Sequence, residues 1–258
     1  MCIKEHEIIK NNLSKLFPHQ VYDYGKMIRS KLGLLVLKSV DIEVTSSYID
    51  LLTAVELIHN ASLYHDDVID NEIIRRSPLV DNKTAVLYGN ILLTNAISVL
   101  ANLNNFSIIT LFNNTIKNMC EGELMQKSQI GRVPSKEDYI KKTFLKTALL
   151  FRTMVEGLNI ISGNVIDNNI IKFAELYGIS FQIKNDLKNV LENKSDLKSG
   201  IYTAPFVLTN STVLTKDGIE KTLILIDNYT SEAENCLNIL NESSYKDLLI
   251  REIRCLKN

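Results

Sequence analysis

The spacing of apolar residues, uninterrupted by proline over long stretches, most constrains the fold of this chain. The 258 residues include only four prolines, and none lies between residues 79 and 133 or between 135 and 204. Across these stretches apolar residues recur three and four positions apart, which is the repeat of an amphipathic α-helix. The chain has no Asn-Gly pair, and its single Asp-Gly pair, Asp217-Gly218, precedes a helical pattern rather than joining two strands. We therefore predict one all-α domain that spans residues 1–258.

Helical patterns cover most of the chain, and one of them differs from the rest. Residues 83–103 are apolar on nearly every side, so we expect this helix to be buried on most of its surface. The pair Pro134-Ser135, followed by two acidic residues, is typical of a helix start. The predicted helices cover residues 3–16, 20–39, 46–70, 83–103, 107–129, 136–163, 167–193, 200–209, 216–228, 230–240 and 243–256.

Composition excludes several classes of protein. Lys and Arg number 29 and Asp and Glu 30, a formal net charge of -1, which argues against a protein that coats nucleic acid or an anionic membrane by bulk charge. The chain contains neither GxGxxG nor a GxxxxGK[ST] loop, so no dinucleotide-binding or P-loop motif is present. We expect no run long enough to span a bilayer, and no signal peptide in the opening MCIKEHEIIK.

The cysteines indicate the redox environment. Cys2, Cys120, Cys236 and Cys255 lie far apart, without the spacing of a metal site. We expect them to be free thiols in a reducing compartment, and hence a cytoplasmic protein.

Three aspartates at the end of the predicted helix 46–70 form the first candidate site. Asp66 and Asp70 are four residues apart, so both carboxylates project from one face of a helix, with Asp67 beside them. Carboxylates this close repel one another unless a cation lies between them, and ligands that are all oxygen suit Mg²⁺. The helix dipole also opposes acids at a carboxyl end, which favours a counter-ion. An acidic helix end that is simply solvated is the alternative explanation.

Two arginines shortly after the acids favour a diphosphate substrate. Arg75 and Arg76 follow in HDDVIDNEIIRRSP. Mg²⁺ can bridge a carboxylate to a phosphate, and a guanidinium binds phosphate oxygens in bidentate fashion. At this point the sequence resembles the trans-polyprenyl diphosphate synthase family, whose first aspartate-rich motif is DDxxD followed by RR.

Further segments resemble the same family, in the same order, from about residue 20 to residue 205. Each segment alone is a weak signal, because isolated charges on a helix are common, whereas the first motif with its two arginines is specific. The matching segments are Gly25-Lys26-Met27-Ile28-Arg29 (GKxxR), Glu56-Leu57-Ile58-His59 (ELIH), Glu121 to Gln126 (EGExxQ), Lys146-Thr147 (KT), Phe181 to Asn189 (FQIxDDxxD) and Asp196 to Pro205 (DL…GKxTLP).

The resemblance implies a fold, a reaction and a role for each matching residue. The fold is a single large bundle of about ten or more helices around a central cavity, as in the isoprenoid synthases. The reaction is a Mg²⁺-dependent transfer of an allylic prenyl group to isopentenyl diphosphate, which makes a longer trans-polyprenyl diphosphate. The implied roles are Mg²⁺ binding by Asp66, Asp67, Asp70 and Asp186, allylic diphosphate binding by Arg75 and Lys146, isopentenyl diphosphate binding by Lys26, Arg29, His59 and Arg76, and stabilisation of the allylic cation by Thr147 and Gln182.

The residues ahead of the first motif predict the product length. Ala61 and Ser62 lie one turn before Asp66, and Ile58 and Val55 lie deeper. Related short-chain enzymes place an aromatic residue near the first two positions, where this chain has small ones. We therefore predict a product of geranylgeranyl length or longer. The resemblance also implies a homodimer, or else a heteromer, with no nucleic acid and no transmembrane segment.

The second aspartate-rich motif departs from the family pattern. Asn185 and Asn189 occupy positions of family aspartates, which leaves Asp186 as the motif's remaining acid, and Ile201 and Asn90 replace a lysine and an acid elsewhere. An asparagine can ligate a hard cation but brings no charge. Two alternatives therefore stay open: a terpene-cyclase-like diphosphate lyase, and a low-activity or regulatory subunit of a heteromeric synthase.

Overall fold

The computed structural model describes residues 4–18, 25–69, 81–192 and 195–257. Within these ranges the regular structure is helical, without strands, which confirms the predicted all-α class. The elements are α1 (Lys4–Leu16), α2 (Ile28–Ser39), α3 (Ser46–Ile69), α4 (Asn82–Ala101), α5 (Phe106–Ser128), α6 (Lys136–Thr143), a π-helical turn (Phe144–Ala148), α7 (Leu149–Ile161), α8 (Asn168–Glu192), α9 (Ser195–Lys198), α10 (Ala204–Val207), α11 (Lys216–Cys236), a 3₁₀ turn (Leu237–Ile239) and α12 (Ser244–Arg254).

The chain packs as two compact units. The first unit comprises Met1–Phe112 and Gly157–Val165, and the second comprises Asn113–Glu156 and Ile166–Asn258. In the first unit α3 packs against α1, α2 and α4, and in the second unit α8 packs against α11 and the π-helical turn. The single domain over residues 1–258 and its central cavity stay predictions.

Side-chain caps begin several helices at the positions that the sequence pattern indicates. Ser135 accepts a hydrogen bond from the backbone N–H of Asp138 (3.1 Å) and so begins α6, as Pro134-Ser135 predicts. Asp81 begins α4 in the same way through the N–H of Thr84 (2.7 Å). A capping oxygen satisfies a backbone donor that the helix itself leaves unpaired, so short polar residues mark these starts locally.

Three predicted helix boundaries are corrected. Helix α2 begins at Ile28 rather than near residue 20, because Gly25 (φ 64°) and Met27 (φ 44°) adopt left-handed backbone conformations that end a helix. Residues 216–239 form one long helix, α11, and a short 3₁₀ turn, rather than the two predicted helices 216–228 and 230–240. The predicted helix 200–209 is reduced to the four residues of α10.

Helix α4 is much more exposed than its apolar sequence predicts. It is buried along one stripe only, whereas Val86, Leu87 and Ile91 expose 39%, 60% and 40% of their surface. In the described part of the chain, α4 is also long and apolar enough to cross a membrane by length and composition, with a mean hydropathy of 1.5 and 28% of that window buried. This corrects the expectation that no run reaches that length. The buried stripe consists of Ala85, Gly89, Leu92, Ala96 and Leu100.

Candidate active site

In the first unit, the GKMIR segment forms a turn that leads into α2. Lys26 is exposed on this turn, while Arg29 is buried in the first turn of the helix. The carboxylate of Glu56 on α3, itself 1% exposed, accepts a hydrogen bond from the backbone N–H of Ser30 at 2.8 Å. An acid at a helix N-terminus satisfies an unpaired donor and matches the helix dipole. Glu56 therefore holds the start of α2, and with it Arg29, in place.

The first acidic motif lies at the carboxyl end of α3. Asp66 and Asp67 are both half-buried there, and His59 is half-buried two turns earlier. Asp70, Arg75 and Arg76 lie outside the described residues. The neighbouring His65 packs against Gly89 of α4 so closely that a β-carbon at residue 89 would lie 2.3 Å from its Nε2. The absence of a side chain at Gly89 is what lets α4 and the motif approach one another.

The residues that predict product length lie in the packed part of α3. Val55, Ile58 and Ala61 are each at most 2% exposed, whereas Ser62 is half-buried and donates to the backbone oxygen of His59 at 2.8 Å. Val55, Ile58 and Ala61 therefore belong to the packed interior on this side of α3. That they contact a growing prenyl chain stays a prediction.

In the second unit, Lys146 and Thr147 lie in the π-helical turn between α6 and α7. Single π-helical turns inside α-helices are found frequently at functional sites. Lys146 Nζ forms an ion pair with Glu123 Oε2 at 2.5 Å, and Gln126 also donates to Glu123 at 3.3 Å. Gly122 permits this approach, since a β-carbon there would lie 2.9 Å from the backbone nitrogen of Lys146. The KT pair and the EGExxQ segment are thus one local structure.

A chain of four hydrogen-bonded side chains extends from the π-helical turn. Thr147 Oγ1 donates to Gln182 Oε1 at 2.9 Å, and Gln182 Nε2 donates to Asp186 Oδ1 at 2.6 Å. The hydroxyl of Tyr139 donates to the other carboxylate oxygen of Asp186 at 2.7 Å. Burial raises the pKa of Tyr139 well above its usual value, and the charge of Asp186 and the hydrogen bond to it raise it further. The phenol therefore stays protonated and donates.

The two acidic motifs fit Mg²⁺ to different degrees. Asp66 and Asp67 offer carboxylate oxygens at a helix end, the hard donors that Mg²⁺ prefers. In the second motif Asn185 is exposed and neutral, Asn189 accepts from the backbone N–H of Asp196 at 3.3 Å, and Asp186 is hydrogen-bonded through both oxygens. Among the described residues no three His, Cys, Asp or Glu side chains are placed to share a metal ion.

Asp66 and Asp186 belong to different units. That they bind the same metal ions stays a prediction.

Sequence reasoning assigned no positioning role to three residues, of which Glu56 and Glu123 lie in matching segments and Tyr139 does not. Glu56 anchors α2, Glu123 pairs with Lys146, and Tyr139 binds Asp186. Tyr139 had a signal in the sequence, because it precedes Lys146 by seven residues, two helical turns, and so belongs to the same side of that helix. That Asp186 is the hydrogen-bond partner of Tyr139 had no such signal in the sequence.

Comparison with known proteins identifies the family. The family model described as polyprenyl synthetase matches residues 10–240. The chain is 32% identical to a decaprenyl-diphosphate synthase of Dictyostelium discoideum over 96% of its own length and 62% of that protein's, and 30% identical to a prenyl transferase of Cyanidium caldarium over 95% and 90%. It spans only 54% of a probable mitochondrial hexaprenyl pyrophosphate synthase of Yarrowia lipolytica, so it is shorter than several of its relatives.

Solved structures show the same fold. The octaprenyl pyrophosphate synthase of Helicobacter pylori matches with a TM-score of 0.84 at 22% identity, over all of both chains. With the motifs present in order along a helical chain, and the family model matching from α1 to the end of α11 and its 3₁₀ turn, the chain belongs to the polyprenyl synthetase family.

Proposed function

We propose that this protein is a Mg²⁺-dependent prenyltransferase that joins isopentenyl diphosphate to an allylic prenyl diphosphate. The observation that carries the proposal is the π-helical turn, which contains both Lys146, ion-paired with Glu123, and Thr147, which donates to Gln182. An ammonium suits a leaving diphosphate, and neutral oxygens stabilise a carbocation without trapping it as a strong nucleophile would.

The reaction needs three bond changes. The allylic carbon–oxygen bond breaks, and the diphosphate leaves with the electron pair. The double bond of isopentenyl diphosphate then attacks the allylic cation, and a proton is lost to the released diphosphate, which gives a product five carbons longer. Mg²⁺, when bound by Asp66, Asp67 and Asp70, supplies positive charge to the leaving diphosphate.

The described residues act mainly by binding and orienting charge. Lys146 exchanges its ion pair with Glu123 for the allylic diphosphate, so Glu123 keeps the ammonium in position before substrate arrives. Lys26, Arg29 and His59 bind isopentenyl diphosphate, and the buried start of α2 limits the movement of Arg29. Arg75 and Arg76 complete these two diphosphate sites in the proposal.

The relatives favour a long product. The names of the matching proteins include decaprenyl, hexaprenyl and solanesyl diphosphate synthases. Small residues at Ala61 and Ser62 agree with such a product, because they leave room where an aromatic floor would end chain growth. We infer a product of geranylgeranyl length or longer.

One assay separates the proposal from its alternatives. The purified protein is incubated with Mg²⁺, isopentenyl diphosphate and each allylic primer in turn, and the products are sized by chromatography. Longer prenyl diphosphates support the proposal. A cyclic hydrocarbon from the primer alone would identify a terpene-cyclase-like lyase. Turnover that requires an added partner synthase would identify a regulatory subunit.

Substituting Ala61 with phenylalanine is expected to shorten the main product. The residue is 2% exposed on α3, so an added ring must fill space beside that helix wall. Product sizing by chromatography of Ala61→Val and Ala61→Phe is expected to show shortening that grows with side-chain volume. Thermal unfolding checks that each variant is folded, since overpacking a core costs about 1–3 kcal/mol. An unchanged product distribution in a folded Ala61→Phe variant would contradict the assignment of this wall.

A homodimer is the assembly that the exposed face of α4 favours. Val86, Leu87 and Ile91 are exposed together on this helix, and exposed apolar patches are a common mark of protein–protein interaction sites. We expect Leu87→Glu to halve the mass measured by light scattering, whereas Asn169→Glu, which adds the same charge at an exposed position of α8, leaves it unchanged. A wild-type monomer, or a dimer that survives Leu87→Glu, would rule out this face as the homodimer interface and leave the heteromer to be tested.

The reduced state of the cysteines favours one cellular location. Among the described cysteines, Cys236 and Cys255 are free thiols. We infer that the protein works in the cytoplasm, where thiols stay reduced, and subcellular fractionation tests this.

A further inference from the structure

Asp186, the remaining acid of the second motif, accepts hydrogen bonds through both of its carboxylate oxygens within a buried cluster of side chains. Tyr139 is fully buried, Asp186 is 3% exposed and Thr147 is 6% exposed. Tyr139 and Gln182 hydrogen-bond the two oxygens of Asp186 at 2.7 and 2.6 Å. Both oxygens of Asp186 thus already accept from protein donors, and at 3% exposure the carboxylate has almost no surface that a Mg²⁺ ion with its retained waters could reach.

The carboxylate of Asp186 determines which way the amide of Gln182 points. An ionised carboxylate only accepts hydrogen bonds, so Gln182 must direct its NH₂ group to Asp186. Its carbonyl oxygen then points to Thr147, whose hydroxyl has to donate to it, as the 2.9 Å contact shows. The hydroxyl proton of Thr147 is used in this hydrogen bond, so the Thr147 oxygen can only accept any further hydrogen bond. The negative charge of Asp186 thus determines the direction of both hydrogen bonds that connect Asp186, Gln182 and Thr147.

The same cluster contains a positive charge of its own. Lys142 is 5% exposed, and its Nζ lies 4.9 Å from the centre of the Tyr139 ring. An ammonium over an aromatic face is attracted to it, so Lys142 helps to hold the Tyr139 ring in place. The flanking positions in the second motif are neutral, since both are asparagines, Asn185 and Asn189. Asp186 is therefore the one carboxylate of the second motif, and two protein donors already bind it.

We propose that Asp186 is a positioning residue rather than a metal ligand, and that Tyr139 and Asp186 together orient Gln182 and Thr147. The inference rests on the proposed prenyl transfer for the role of Gln182 and Thr147, and it departs from the metal role that the sequence pattern assigns to Asp186. Tyr139, outside every motif of the sequence, is a second member of this positioning pair.

The first arm of the test measures metal binding without turnover. Mn²⁺ is titrated, in the presence of inorganic pyrophosphate, into the wild type, Asp186→Asn and Tyr139→Phe, and bound Mn²⁺ is followed by electron paramagnetic resonance. Both variants are expected to bind Mn²⁺ within about twofold of the wild type, whereas loss of a ligand or its support costs about 10–100-fold. Weaker binding of that size in Asp186→Asn, whether or not Tyr139→Phe weakens it as well, would overturn the proposal. Absence of Mn²⁺ binding by the wild type would equally exclude Asp186 as a ligand.

The second arm measures turnover. Tyr139→Phe removes only the hydroxyl, and Asp186→Asn lets the Gln182 amide adopt either orientation. Each is expected to lower kcat by about tenfold, with the KM for isopentenyl diphosphate and the half-saturating Mg²⁺ concentration unchanged. The double variant is expected to lose no more than the larger single effect, because both act through one contact. Wild-type kcat in a folded Tyr139→Phe variant would remove Tyr139 from the mechanism.

The two arms separate the inference from the proposed function. If the wild type turns over no primer, the prenyl transfer fails, yet Mn²⁺ binding still decides whether Asp186 is a ligand. If turnover is found and Mn²⁺ binding falls in Asp186→Asn, the positioning role fails and the prenyl transfer stands.

Discussion

Replacing Asp66 with asparagine is expected to lower kcat by about a hundredfold or more, because it removes one charge from the group that would hold Mg²⁺ at the leaving diphosphate. Asparagine keeps the size of the side chain and one oxygen, so the loss reports charge rather than packing. Asp66 is half-buried at the end of α3, where a carboxylate binds a cation more tightly than in open solvent. Steady-state turnover at saturating Mg²⁺, with both diphosphate substrates in excess, measures the effect.

Asp50→Asn is the matched control for this substitution. Asp50 lies on the same helix, four turns earlier, and burial raises the pKa of its carboxyl group. It makes the same chemical change far from the acidic motif, so kcat is expected to stay within about twofold of the wild type. Equal losses in the two variants, or more than half of wild-type turnover in Asp66→Asn, would show that the first motif does not carry the chemistry.

Gly178→Ala is expected to lower the free energy of unfolding by about 3 kcal/mol and to lower turnover as well. Gly178 lies in α8 where that helix meets the π-helical turn, and a β-carbon there would lie 2.6 Å from the backbone Cα of Ala148 and 2.9 Å from its Cβ. A backbone atom cannot rotate away, so α8 must shift. Alanine gains about 1 kcal/mol of helix propensity over glycine, too little to offset the clash. The shift would also lengthen the hydrogen bond between Thr147 and Gln182.

Gly157→Ala separates the clash from the loss of glycine itself. A β-carbon at Gly157 would lie 2.7 Å from Cδ1 of Leu51 and 3.1 Å from a ring carbon of Phe112, both in side chains that can adjust. The gain in helix propensity then offsets most of the cost, and we expect a change in unfolding free energy of at most about 1 kcal/mol. Urea denaturation measures both variants. An equal loss of unfolding free energy in the two variants would show that the clash with the backbone of Ala148 does not cause the destabilisation of Gly178→Ala.

The parts of this protein that the sequence predicts well are those that depend on neighbours along the chain. Apolar spacing predicts the long helices because it reflects the 3.6-residue turn, and Ser135 marks the start of α6 because a cap acts over three residues. That Asp66 and Asp67 lie side by side at the end of a helix is likewise predictable from the residue order in the sequence. The family assignment rests on such motifs, and the family model confirms it.

The errors occurred where the answer depends on a distant partner. Residues 83–103 were expected to be buried on most sides, yet an apolar sequence does not tell which face meets its own chain and which is left for another surface. The metal role predicted for Asp186 from its place in a motif stays a prediction, whereas the hydrogen bonds that Asp186 accepts from Tyr139, 47 residues earlier, and from Gln182 had no signal in the sequence.

Sequence by itself thus determined the all-α class, the order of the motifs and the family of this protein, because helical periodicity and motif spacing are local properties of the chain. Tertiary structure decided which polar groups are already satisfied: Glu123 holds Lys146, Glu56 holds the start of α2, and Tyr139 holds Asp186. A buried donor or acceptor must find a partner wherever the fold brings one, and that partner lies tens of residues away in the chain.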